Sequence, residues 1–140
     1  MSTRVSARTL ALVVAGGAAG VGLRAALTMP FESAGAQAVV LATLSVNIVG
    51  SLLLGVVVGL LDDRHPSWRA FLGTGLMGGF TTYSAFAVQT AELLATDPAG
   101  ALILAATALA LGVSAGFGGV CIGRRIADEA GATEPMEDSE

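Results

Sequence analysis

Few side chains in this sequence can do chemistry, and those that can are polar groups set inside long apolar runs. Asn47 stands in Thr43-Leu-Ser-Val-Asn-Ile-Val-Gly50, at a depth where an unsatisfied amide is costly. Its amide donors either bond a neighbouring helix or face an anion. Arg24 is the only charge between Arg8 and Glu32. Its guanidinium either snorkels to the interface or turns into a vestibule, where its charge concentrates anions. Glu92 lies near the end of its apolar segment, where interfacial solvation accounts for it.

The run Gly73-Thr-Gly-Leu-Met-Gly-Gly79 packs four glycines into seven residues ahead of Phe80-Thr-Thr-Tyr-Ser-Ala-Phe86. Glycine disfavours helix and permits unusual dihedrals, so the run reads either as a continuous packing face or as a break. A break at mid-membrane frees carbonyls, which survive there only when buried in protein or lining a cavity. Free carbonyls of broken helices also hold cations such as Na⁺. Tyr83 and Phe86, three residues apart, share a helical face. Their positive ring edges either meet a small anion without bonding it strongly or simply fill a core. Thr82 and Ser84 set hydroxyl donors beside them. No residue set suggests covalent or hydrolytic catalysis, so a non-enzyme is expected. His65 reads as a solvated loop residue, and the lone Cys121 cannot form an internal disulfide.

The elements that must position these groups are membrane spans. The 140 residues are 54% hydrophobic and 13% charged, with mean hydropathy +0.75, whereas soluble domains carry about twice that charge. A span needs about 20 apolar residues in helix. Apart from Arg24, charge is absent from the stretches between Arg8 and Glu32, from Ser33 to Leu61, from Ala70 to Ala91 and from Pro98 to Gly123. The fold class is therefore an all-α membrane protein with four transmembrane helices, near 9–29, 36–61, 70–95 and 99–122. The solid apolar runs exclude a barrel, whose strands alternate, and an open sheet cannot satisfy its edge amides in lipid. Arg4 and Arg8 ahead of the first run also fit a cleaved signal. Three equally apolar segments follow, so the first helix is expected to stay.

Many of the 19 glycines fall four apart: Gly16 and Gly20, Gly55 and Gly59, Gly75 and Gly79, Gly112 and Gly116. Such pairs let helix backbones approach closely where lipid offers no hydrophobic drive. Four helices make a thin bundle, so an oligomer is expected. Residues 1–123 form the transmembrane domain, and 124–140 read as an acidic, disordered cytoplasmic tail. That tail holds six of the eleven acids, so the net charge of −4 says little about partners, and nucleic acid binding has no support. Arg4, Arg8, Arg64, Arg69, Arg124 and Arg125 fall on one side of four spans, with Arg24 alone on the other. The positive-inside rule then places both termini in the cytoplasm.

Taken in order, Arg24, the Val46-Asn47 and Gly50 pattern, and Gly78-Gly-Phe-Thr-Thr-Tyr-Ser-Ala-Phe86 resemble the CrcB/Fluc fluoride channel family over roughly residues 9–122. The resemblance implies an antiparallel dimer of four-helix subunits with the third helix broken near its middle. It implies passive fluoride export across the plasma membrane through two pores, and a structural Na⁺ at the dimer interface that is not transported. The Na⁺ ligands would be the backbone carbonyls of Gly78 and Thr81. Asn47 would line the fluoride path with Thr82, Tyr83, Ser84 and Phe86, and Arg24 would be the vestibule arginine. Apart from the resemblance, Thr107 and Ser114, seven residues apart on the fourth helix, are placed to supply donors on the pore side. The family commonly has Phe and Thr where this chain has Tyr83 and Ala85. These departures, with the one-sided basic charge, also suit a subunit that shares its pore with an oppositely oriented related chain, and in the extreme a non-conducting partner. A small multidrug-type exporter is the remaining alternative. Such carriers resemble proton-coupled proteins with a first-helix carboxylate, and this chain has none there.

Overall fold

A computed structural model describes residues 6–61 and 65–132, and these are helical apart from short connections. Helix α1 spans Ala7–Glu32 and starts where the Ser6 hydroxyl accepts the Thr9 N–H at 3.1 Å, satisfying one donor that the first turn leaves unpaired. Gly35, at φ 101°, supplies the left-handed turn into α2, Ala36–Leu61. Only glycine adopts that φ without a Cβ penalty.

The third crossing comes in two pieces. The first, α3, is the helical segment 66–80, built of Pro66–Trp68, a π-helical Arg69–Met77 and Gly78–Phe80. Thr81 and Thr82 are extended, at φ/ψ −80°/158° and −143°/115°. The second piece, α4, runs Tyr83–Thr96, and α5 follows after Asp97 as Pro98–Ala132. Asp97 starts α5 by accepting the Gly100 N–H on Oδ1 at 3.0 Å. Helices α1, α2 and α5 are each long and apolar enough to cross a membrane, with mean hydropathies of 1.8, 2.3 and 1.9. Neither α3 nor α4 reaches the roughly 20 residues of a span; together they make the third of four crossings. The chain is a multi-pass all-α membrane protein.

Two details differ from the sequence reading. The glycine run Gly73–Gly79 is helical, and the break falls just after it, at two threonines. The last helix does not stop near 122, because residues 124–132, expected to be disordered, continue α5. Arg124 and Asp128, like Arg125 and Glu129, are four apart, a spacing that supports helix, and no proline intervenes before Pro135. Residues 133–140, the rest of the expected tail, lie outside the described residues. At 1.5 Å per residue a helix of 35 residues is about 50 Å long. It is therefore longer than a hydrocarbon core of about 30 Å.

Glycine seams join the helices in two pairs. A Cβ on Gly16 or Gly20 would collide with backbone atoms of Phe71, Leu76 or Phe80, and one on Gly75 or Gly79 with the backbone of α1. The α2–α5 pair is built likewise. Gly55 and Gly59 face backbone near Gly116, Val120 and Arg124, and Gly119 and Gly123 face Leu52 and Val56. Backbone contact of this kind replaces the hydrophobic drive that lipid does not offer. Gly112 and Gly116 are looser, their nearest atoms being those of Ser51 at 3.7 Å. The tight seam on α5 is thus seven residues, about two turns, further on, at Gly119 and Gly123.

Candidate functional site

The break is held by side chains from the two neighbouring helices. Asn47 of α2 accepts the Thr82 N–H on Oδ1 at 2.8 Å and donates Nδ2–H to the Thr82 carbonyl at 3.0 Å. The backbone N–H is a donor, so it fixes which end of the amide faces it. From α1, Arg24 donates its Nε–H to the Gly79 carbonyl at 3.2 Å. Gly50 admits the break to α2, since a Cβ there would collide with Thr81 Cγ2 and crowd the Phe80 ring. Phe80 itself is 3% exposed.

Of the carbonyls opened between Gly78 and Thr81, those at the two ends lose their regular helical donors to identifiable side chains. In a continuous helix Gly78 would accept from Thr82 N–H and Thr81 from Ala85 N–H. Asn47 takes the first of these donors, and the Thr82 hydroxyl takes the second at 3.2 Å while capping α4. Met77, by contrast, accepts both the Thr81 N–H at 3.0 Å and the Thr81 hydroxyl at 2.9 Å. Gly78 and Thr81 line one open groove with Leu54, Val57 and Met77. A Cβ on Gly78 would have no atom within 4 Å, so packing inside the subunit does not ask for glycine there. Among the described residues no three His, Cys, Asp or Glu side chains gather to bind a metal, and a hard cation here would rely on neutral oxygens.

A cavity of about 620 Å³ that shares Leu54, Val58 and Thr81 with this groove opens between α2, α4 and α5. Asn47, Ser51, Thr82, Tyr83 and Phe86 line it, with Ala105, Ala108 and Gly112 on the far wall. The Tyr83 and Phe86 rings lie 6.4 Å apart, tilted by 51°. Phe86 is half-buried and Tyr83 is 81% exposed, so Tyr83 faces outward from a single subunit. Ser84 is exposed, with its hydroxyl 3.3 Å from that of Thr82. Thr107 and Ser114 are exposed on the face of α5 opposite the cavity-lining Ala105, Ala108 and Gly112. Within this chain, then, Asn47, Thr82, Tyr83 and Phe86 are brought together, and Thr107 and Ser114 are not.

Three polar residues escaped the sequence reading. Gln89 donates Nε2–H to the Thr43 hydroxyl at 3.0 Å, and Thr43 is 4% exposed. Ser51 lines the cavity one turn from Asn47. The available signal was periodicity, since Thr43, Asn47 and Ser51 recur every four residues on α2 and so share a face. Thr82 and Gln89, seven apart, share the facing side of α4.

This arrangement sits in a chain that matches, over residues 11–124, the family described as CrcB-like protein, Camphor Resistance (CrcB). The chain belongs to the CrcB family. It is 37% identical over 126 residues to the fluoride-specific ion channel FluC 2 of Leifsonia xyli, covering 85% of this chain and 86% of the relative. It is 42% identical over 117 residues to FluC 2 of Bacillus subtilis, covering 82% and 87%. To FluC 2 of Halobacterium salinarum it is 42% identical over 132 residues, covering 89% and 90%. These CrcB relatives are named as ion channels, not enzymes, in line with the lack of a catalytic constellation in the sequence.

Proposed function

We propose that this chain is a subunit of a fluoride-specific channel that lowers cytoplasmic fluoride by passive export across the plasma membrane. The observation that carries this is the joint placement of Asn47, Tyr83 and Phe86 on one cavity directly after a helix break, in a CrcB chain. Arg24 draws anions toward the break by its charge. Asn47 turns one amide proton to Thr82 and keeps a second for an anion. The ring edges of Tyr83 and Phe86 offer weak positive potential, which suits an ion that must bind and then leave. Thr82 and Ser84 add hydroxyl donors, and Thr107 and Ser114 would join the path only through contacts made outside the single subunit.

Gly78 and Thr81 are the residues that would hold a structural Na⁺, because their carbonyls are free of helical partners and open on one groove. The ion would supply a fixed positive charge at a dimer interface. An oppositely oriented second subunit, packed against the Gly78 face, accounts for a glycine that nothing inside the subunit explains. Both termini lie in the cytoplasm, with membrane lipid around the apolar faces.

A second reading has its own support. Tyr83, Ala85 and the one-sided basic charge fit a chain that works beside a related subunit of reversed orientation, or completes that subunit's pore without conducting alone. Three relatives bear the name FluC 2, which suits a chain numbered alongside another. Expression in cells stripped of their own fluoride exporters separates the readings. Growth in fluoride restored by this chain alone supports a self-sufficient channel. Growth restored only with a second CrcB chain supports the paired form, and no rescue in either arrangement contradicts fluoride export.

A further inference from the structure

We infer that Asn47 is a positioning residue for the cation site: it keeps the third crossing broken and so keeps the Gly78 carbonyl available to an ion. The inference rests on the sodium reading above and adds a role for a side chain assigned there only to the fluoride path.

The reasoning starts from one backbone N–H. In the membrane interior the Thr82 amide must find a partner, because an unpaired N–H costs several kcal/mol in lipid. Regular helix would give it the Gly78 carbonyl four residues back. Asn47 supplies the alternative, accepting the Thr82 N–H at 2.8 Å and returning a bond to the Thr82 carbonyl at 3.0 Å. The pairing holds Thr82 extended, at φ −143° and ψ 115°. Its hydroxyl is then free to cap α4 by accepting the Ala85 N–H, which in turn withholds that donor from Thr81. One side chain thus accounts for both open carbonyls, directly at Gly78 and through Thr82 at Thr81. Arg24 cannot replace it, since it donates to Gly79 and offers no acceptor. Without Asn47 the Thr82 N–H turns back to Gly78, and the carbonyl that would hold the cation becomes an ordinary helical acceptor.

The test reads sodium binding through stability, not flux. The melting temperature of purified protein is measured as Na⁺ replaces a large organic cation, for the unsubstituted chain, Asn47→Ala, Asn47→Ser and Asn47→Asp. Serine is too short to reach Thr82, and so serves where Asn47→Ala fails to assemble. Aspartate keeps an acceptor for the Thr82 N–H. The expected result is a half-saturating Na⁺ concentration raised about tenfold or more by Ala or Ser, the scale of one lost charge-assisted contact. With Asp it stays within about threefold of the unsubstituted chain. Hydrogen exchange at Thr82 remains slow in Asn47→Ala, because the amide re-pairs. An unchanged sodium midpoint in Ala and Ser, beside a clear response in the unsubstituted chain, overturns the positioning role alone. No sodium response in the unsubstituted chain overturns the sodium reading and this inference with it.

Discussion

Asn47 makes the interhelical bond that one reading of its sequence position expects and leaves one amide proton over for the other reading. Its Oδ1 and one Nδ2 proton go to Thr82, which is the interhelical bond that membrane packing favours, and a second proton is left for the cavity. Asn47→Ala therefore loses more than an ion contact. It abolishes fluoride flux and lowers stability by about 1–3 kcal/mol, the cost of leaving the Thr82 carbonyl without its side-chain donor, measurable by denaturation in detergent. An Asn47→Ala protein with normal flux would return the residue to packing alone. The aromatic pair separates by chemistry instead of bulk. Phe86→Leu keeps volume but removes the positive ring edge, so flux falls at least about tenfold while the fold survives; unchanged flux would make Phe86 a core filler. Thr43, Asn47 and Ser51 were legible as a polar stripe on α2 by their spacing of four. Their partners Gln89 and Thr82 were not, because a bond across 35 or 46 residues leaves no local trace.

For the helices, what composition and charge spacing made legible was their number and rough extent, since lipid admits few alternatives. What they hid was the cause of the break. Four glycines in seven residues read as the weak point, yet Gly75 and Gly79 are there to let α1 and α3 touch through backbone. The break sits at β-branched Thr81 and Thr82, which disfavour helix less than the glycines before them, because Asn47 of another helix and the Thr82 hydroxyl supply the missing partners. The helical start of the expected tail was missed for the opposite reason, composition being weighed above the i, i+4 charge spacing. The seams give a contrast that can be measured. Gly20→Leu and Gly119→Leu force α1 from α3 and α2 from α5, and assembly is lost in size-exclusion chromatography. Gly118→Ala, where no atom lies within 4 Å of a Cβ, leaves it intact. Equal behaviour of the three variants would contradict the seam assignment.

At the scale of the whole molecule, charge and orientation decide how the chain works. The four-span reading of the sequence groups six of the seven basic residues on one side, far from the balance that a chain inserting both ways would need. Reporters fused to the two termini of the chain expressed alone are expected to score cytoplasmic. Equal cytoplasmic and external populations would sink the fixed orientation, and with it the need for a reversed partner. The open groove at Gly78 and Thr81 and the exposed Tyr83 are the surfaces on which the proposed second subunit would pack. The most direct measurement is fluoride efflux from liposomes holding this purified polypeptide, followed with a fluoride electrode beside chloride-loaded controls. The account predicts rapid, passive fluoride release with little chloride, from this chain alone or on adding a reversed CrcB subunit. Fluoride release no faster than from protein-free liposomes under both conditions, or equal release of chloride, would contradict it.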